Sequence, residues 1–232
     1  MTSRVSPRSV RAAIIGFPLR VPFTMFTVAG LTVRTVRSGS ATAEVPNRLL
    51  QRVGFAPQDL LLFGWRRLIS SAMFTHGGLE FWTAIVMIVL AVGAAEVTVG
   101  TLRTAATFWG LHVVTLLAES FLVAMPLALA GLRFGKDLSD VRDVGPSAGY
   151  LAVLGLLCAM LPGRWRDAVA VAVLGALVAI TIIPIGGEDT TVRFSAGIAH
   201  LIAFPLGFAA AALWRAWPRS GRAVASDRLT PR

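Results

Sequence analysis

Six apolar runs dictate what this chain can fold into: Ala12–Val33, Ser71–Val92, Thr104–Ala130, Ser147–Leu161, Ala168–Ile185 and Ser195–Trp214. A run of about twenty residues matches the roughly 30 Å hydrocarbon core of a bilayer at 1.5 Å per helical residue. Inside lipid, only a helix or a closed barrel satisfies its own backbone. The expected fold is therefore all-α, a polytopic membrane protein of six helices. Composition agrees, since 55% of the 232 residues are hydrophobic and only 15% are charged, too apolar for a soluble domain. The fourth run, about fifteen residues, is too short to cover the whole core. It is expected to be short and central, beginning below the membrane surface with its loop descending to meet it.

The chain divides into a basic tail at 1–11, a membrane domain at 12–214 and a basic, disordered tail at 215–232. Arg20 interrupts the first run and no small-residue cleavage pattern follows, so that run reads as a retained span rather than a signal peptide. Within 34–67, Pro46 and Pro57 break the chain, Arg48–Val53 is amphipathic, and Leu60–Phe63 is too short to cross. This segment is expected to lie on the membrane surface. The net charge of +10 is carried mainly by arginines that flank apolar runs, which fits anchoring at headgroups and makes the lipid bilayer, not nucleic acid, the expected partner. The two basic tails and the Arg164–Arg166 loop favour both termini inside. A single cysteine, Cys158, sits in an apolar run, so there is neither a disulfide framework nor a cysteine-based metal site.

Candidate chemistry gathers where the fourth run begins. In Asp143-Val144-Gly145-Pro146-Ser147-Ala148-Gly149-Tyr150, Pro146 suits a first helical turn and Ser147 falls at the helix N-terminus. Spare N–H groups and the positive end of the dipole there could stabilise an oxyanion; the same serine also fits a plain capping role. His200 lies inside the sixth run, where a polar group is costly and usually partnered. Ala196, His200, Ala203 and Gly207 share one face by helical spacing, and Gly197 adds a further small neighbour, so this helix can approach another closely. A hydrogen bond from His200 to a backbone carbonyl is the alternative use. His112, Thr115 and Glu119 form a polar stripe on the third run, and His76 beside Gly77-Gly78 reads as a turn or interface residue. Two such residues do not make a metal site, and neither a metal nor another cofactor is expected.

Four segments, in order, resemble the rhomboid family of intramembrane serine proteases. They are Trp65 to Gly78, Glu96 to Arg103, Gly145-Pro146-Ser147, and Ala199-His200 with Ala203 and Gly207. The likeness covers about Trp65 to Trp214. It implies a rhomboid-like bundle in which Ser147 is the nucleophile and His200 the general base, with no third acid. The chain departs from the family where a histidine and an asparagine on the second span are expected: Phe81 and Ile85 stand there, and neither donates a hydrogen bond. Ala148 replaces the usual glycine after the serine, and the segment from Trp65 to His76 is one or two residues longer. Backbone groups around Ser147 are left as donors, so Gly145, Ala148, Gly149 and Tyr150 are the expected oxyanion- and substrate-binding residues. Gly145 to Gly149 also spells the Gly-x-Ser-x-Gly elbow of α/β-hydrolases, but that motif needs a preceding strand and a soluble sheet.

Two functions follow from the resemblance. One is an integral protein of a bacterial plasma membrane that cleaves membrane-spanning substrates slowly through Ser147 and His200. The other is a pseudoprotease that binds or escorts membrane clients without cutting. Transport has little support, because polar residues within the runs are few and no inverted repeat with paired broken helices is visible.

Overall fold

A computed structural model describes residues 20–183 and 190–217. The described chain is all-helical, with no strands beyond two isolated bridges, Glu44 with Gly77 and Phe55 with Asp143. Four helices are long and apolar enough to cross a membrane: α4 (Gly78–Val99), α5 (Thr101–Leu129), α8 (Gly163–Ile182) and α9 (Thr190–Ala216). Two shorter helices join them, α1 (Pro22–Ser38) and the thirteen-residue α7 (Ser147–Ala159). Three small helices decorate the loops: α2 (Asn47–Val53), α3 (Arg66–Ser70) and α6 (Arg133–Asp140).

The boundaries follow local chemistry. Within the described part of the apolar run Ala12–Val33, Val21 takes φ −133° and α1 starts at Pro22. The proline ring disfavours a helical residue before it, and its missing N–H costs nothing at a first helical position. The two free N–H groups that follow are capped by a distant residue. Glu96 on α4 accepts from the N–H of Phe23 and of Thr24, each at 2.8 Å, and from the hydroxyls of Thr24 and Thr101, also at 2.8 Å. The second apolar run starts later than its hydropathy suggests. Ser71–Met73 form a 3-10 turn, and Gly77 and Gly78 hold φ of 95° and 53°, a left-handed kink that delays α4 to Gly78. The amphipathic Arg48–Val53 falls within α2; between the fifth and sixth runs a turn over Gly186–Arg193 is the sequence expectation, of which 186–189 lie outside the described residues and Thr190–Arg193 are already the first turn of α9, while the basic tail 1–11 and residues 218–232 also lie outside the described residues.

Both long helices α4 and α5 contain a π segment, at Ile88–Val92 and at Ser120–Ala124. The second ends one residue before Met125-Pro126, where the proline's missing N–H cannot close an α-helical bond.

α7 lies at the centre of the packing. Nine of its thirteen residues are buried, among them Leu151, Ala152, Val153 and Leu156. Its tightest neighbour is α9, which runs parallel to it: Ala148 and Ala199 line one cavity near the start, and the Arg215 guanidinium donates to the Ala159 carbonyl at the far end. Between these ends the backbones nearly touch. A Cβ on Gly155 would sit 2.0 Å from the Phe204 carbonyl oxygen, and one on Gly207 would sit 2.1 Å from the Ala152 oxygen. Of the small face expected on the sixth run, Ala203 and Gly207 meet α7, whereas Gly197 packs on Thr181 of α8.

Gly207→Val is expected to cost about 3 kcal/mol or more, because backbone rather than a mobile side chain must yield. Gly110→Ala, where an added Cβ meets nothing within 4 Å, should be neutral or stabilising by up to about 1 kcal/mol. Melting of the two variants in detergent checks the contrast. Glu96→Ala strips the buried cap from α1 and should cost about 3 kcal/mol in the same assay.

Candidate functional site

At one end of the bundle the loop before α7 is held in place by backbone pairing. Phe55 and Asp143 exchange two N–H···O bonds of 3.0 and 2.9 Å, and the Gly145 N–H donates to the Ser71 carbonyl at 3.0 Å. Pro146 then caps α7, and the Tyr150 N–H closes the first turn onto the Pro146 carbonyl at 3.0 Å. Ser147, Ala148 and Gly149 occupy the first three helical positions, whose N–H groups have no acceptor within the helix. Ser147 is half-buried.

Its hydroxyl side opens on a small cavity of about 20 Å³, room for about one water molecule. The polar wall is made by Ser71, His112, Glu119, Asp143, Ser147 and Ser195; Phe55, Leu116 and Ala199 supply apolar surface. The polar stripe read on the third run thus faces inward, with His112 at 1% exposure and Glu119 at 5%. The Ser195 hydroxyl donates to a Glu119 oxygen at 2.6 Å. His112 Nε2 lies 3.0 Å from the Leu68 carbonyl oxygen. A carbonyl only accepts, so Nε2 carries the proton, and Nδ1 presents a lone pair that is buried and without a partner.

Asp143 joins the loop to the start of α4. Its Oδ1 lies 2.8 Å from His76 Nε2 and accepts the Val144 N–H at 2.7 Å. His76, expected to be a turn or interface residue, also accepts the Val45 N–H on its carbonyl at 2.7 Å. Behind this loop Asp59 is the hub of a second network. It takes two hydrogen bonds from the Arg142 guanidinium, at 2.6 and 3.0 Å, one from Arg67 and one from the Ala56 N–H. Burial pushes the Asp59 carboxyl up, but the Arg142 hydrogen bonds, the Ala56 N–H and the charges of Arg142 and Arg67 outweigh it, so the group titrates below 3.8.

The residues singled out in the sequence separate into two groups here. Gly145, Ser147 and Ala148 line the cavity. Gly149 instead faces the Phe108 ring, where a Cβ would lie 2.9 Å from the nearest ring carbon, and Tyr150 packs into the central core beside it. His200 follows Ala199 on α9; its Nε2 is buried and has no hydrogen-bond partner. Among the described residues no hydrogen bond joins Ser147 to His200. Phe81 is buried in the core cluster with Ala84 and Ile88. No group of three or more His, Cys, Asp or Glu able to hold a metal occurs among the described residues.

Asp143, Ser195 and Asp59 carry much of this geometry, and sequence reading assigned none of them a role. Their partners lie 67, 76 and 83 positions away, at His76, Glu119 and Arg142. Such pairings leave no periodic trace. The one available signal was the position of Asp143, directly before the Gly-Pro break that opens the fourth run.

The Asp59 network should hold the loop over the neutral range. Because its folded titration point lies below the ordinary 3.8, the stabilisation is fully present above that value and is lost as pH falls through the lower folded one. Hydrogen exchange of residues 54–60 should therefore be slow at neutral pH and accelerate only in strong acid. Arg142→Gln should accelerate it at neutral pH.

No family model, curated protein or solved structure matches this chain.

Proposed function

We propose that the chain is a rhomboid-like intramembrane serine peptidase of low turnover, built as a six-helix bundle in a bacterial plasma membrane with both termini cytoplasmic. In this reading Ser147 attacks the scissile carbonyl, and His200 takes its proton and returns it to the leaving amine. The observation that carries it is the pairing of α7 with α9. A helix too short to cross a membrane begins with a half-buried serine on a cavity wall, and it is packed backbone to backbone against the helix that bears a buried, unpartnered imidazole nitrogen. A nucleophile needs an adjacent base, and once the amine has left, the acyl group on Ser147 is released by a water that His200 deprotonates, for which the cavity has room for about one molecule. Substrates would be membrane-spanning proteins whose helices unwind near the bilayer surface.

A second reading, a pseudoprotease that binds or escorts membrane clients, is favoured by two specific observations. No hydrogen bond joins Ser147 to His200, and Phe81 and Ile85 stand where the resemblance expects oxyanion donors. One lost donor costs about 3 kcal/mol of transition-state stabilisation, and two leave little turnover unless the N–H groups at the start of α7 replace them.

A small fluorophosphonate probe separates the readings, since it needs an activated serine more than a complete oxyanion site. Slow labelling is expected, abolished in Ser147→Ala and reduced about 100-fold or more in His200→Ala. Absence of labelling from folded protein at high probe concentration overturns the peptidase reading in favour of client binding.

A further inference from the structure

Away from the Ser147 cavity, a groove of about 670 Å³ lies between α1, α2 and Phe74. Its floor is the face of α1 formed by Phe26, Gly30 and Val33, which recur at helical spacing, and its opposite wall is Leu49 and Phe74. Arg34 and Arg37 close the end nearest the loop. We propose that this groove binds one anionic phospholipid, with an acyl chain along α1 and the headgroup phosphate between Arg34 and Arg37.

Three features select that ligand. The first is length: Phe26 to Arg37 spans about 16 Å of helix, close to the roughly 15 Å depth of one leaflet, so an acyl chain lying along the floor brings its phosphate to the arginines. The second is unpaired charge. Arg67 and Arg142 are committed to Asp59 and Arg166 to Asp167, whereas among the described residues neither Arg34 nor Arg37 has a carboxylate partner. The Arg34 guanidinium instead lies over the Phe74 ring, 5.1 Å from its centroid. Stacking fixes the plane of the group and leaves its edge N–H donors free for the bidentate contact that suits phosphate oxygens. The third feature is polarity along the floor. From Phe26 to Val33 the lining is apolar, so an extended peptide would leave its backbone N–H and C=O groups unpaired, a cost that an acyl chain does not carry. Exposed Arg48 and Arg52 on the adjacent α2 add positive field at the same end.

This inference does not depend on the reading of Ser147. It is tested by native mass spectrometry of the full-length protein released from detergent, loaded with phosphatidylglycerol or with phosphatidylcholine of identical acyl chains. Wild type should retain one phosphatidylglycerol at least tenfold better than phosphatidylcholine. R34Q/R37Q should lose that preference, and R66Q, an exposed arginine outside the groove, should keep it. Ala29→Trp, at an exposed position on the groove wall, should lower retention of both lipids by blocking the acyl path. If the double variant folds poorly, as judged by its melting curve, R37Q alone serves, with a partial loss expected. Equal retention of the two lipids by wild type, unchanged preference in folded arginine variants, or a dimer whose formation excludes the lipid would each overturn the proposal.

Discussion

The structure depends on the contact between two glycines, Gly155 of α7 and Gly207 of α9. In an apolar solvent, burying leucines against one another gains little over leaving them in lipid, so helices associate through close backbone approach and shape. Here the approach is close enough that neither glycine could carry a Cβ. That contact holds a thirteen-residue helix in the interior although it is too short to span. The loop from Asp143 to Pro146 leads into this buried helix and is pinned by Phe55 and Ser71, so Ser147 opens on a small cavity. Gly149 extends the same logic to α5, where the Phe108 ring takes the space of a missing side chain.

Bringing irregular backbone into the bundle creates unpaired polar groups, and the chain satisfies them with residues from distant helices. Glu96 caps the start of α1, Arg215 reaches the Ala159 carbonyl at the end of α7, and the Trp214 indole donates to Thr107 at 3.0 Å. Each interaction ties a helix end to a neighbour and so fixes relative depth as well as contact. Glu96 is the extreme case: a carboxylate at 2% exposure is tolerable because four donors surround it. Its removal would therefore free several buried donors at once.

Much of this was legible in the sequence. Hydropathy located α5, α8 and α9 within five residues at each end and set α4 seven residues too early, and the short fourth run announced the inner helix. Helical spacing put His112, Thr115 and Glu119 on one face and Ala203 with Gly207 on another. The misplacements have local causes. Pro22 sets the start of α1 inside a run that looks continuous by hydropathy, and Gly77-Gly78 delays a helix whose apolar signal begins earlier. The π segments of α4 and α5 are invisible to a 3.6-residue period, yet one of them begins directly after Glu119, at the cavity wall. The ion pairs of Asp59 and the Asp143–His76 contact could not be read at all, since they depend on how loops fold over the helix ends.

The cavity also bears on where an oxyanion could be stabilised. His112 faces the space in front of Ser147, and an imidazole there looks like a substitute for the donors absent at Phe81 and Ile85. Its hydrogen bonding argues otherwise. With Nε2–H given to the Leu68 carbonyl, neutral His112 can only accept through Nδ1, so it can orient a water or a hydroxyl but cannot donate to a negative oxygen. Among the described residues, the Ser71 and Ser195 hydroxyls that also line the cavity donate to the Leu68 carbonyl and to Glu119, which leaves the N–H groups at the start of α7 as the fixed backbone donors beside the Ser147 hydroxyl. If covalent chemistry occurs here, its transition state must be held by the backbone of Ser147 and its neighbours, and its rate is set by how well one helix N-terminus does the work of two missing side chains.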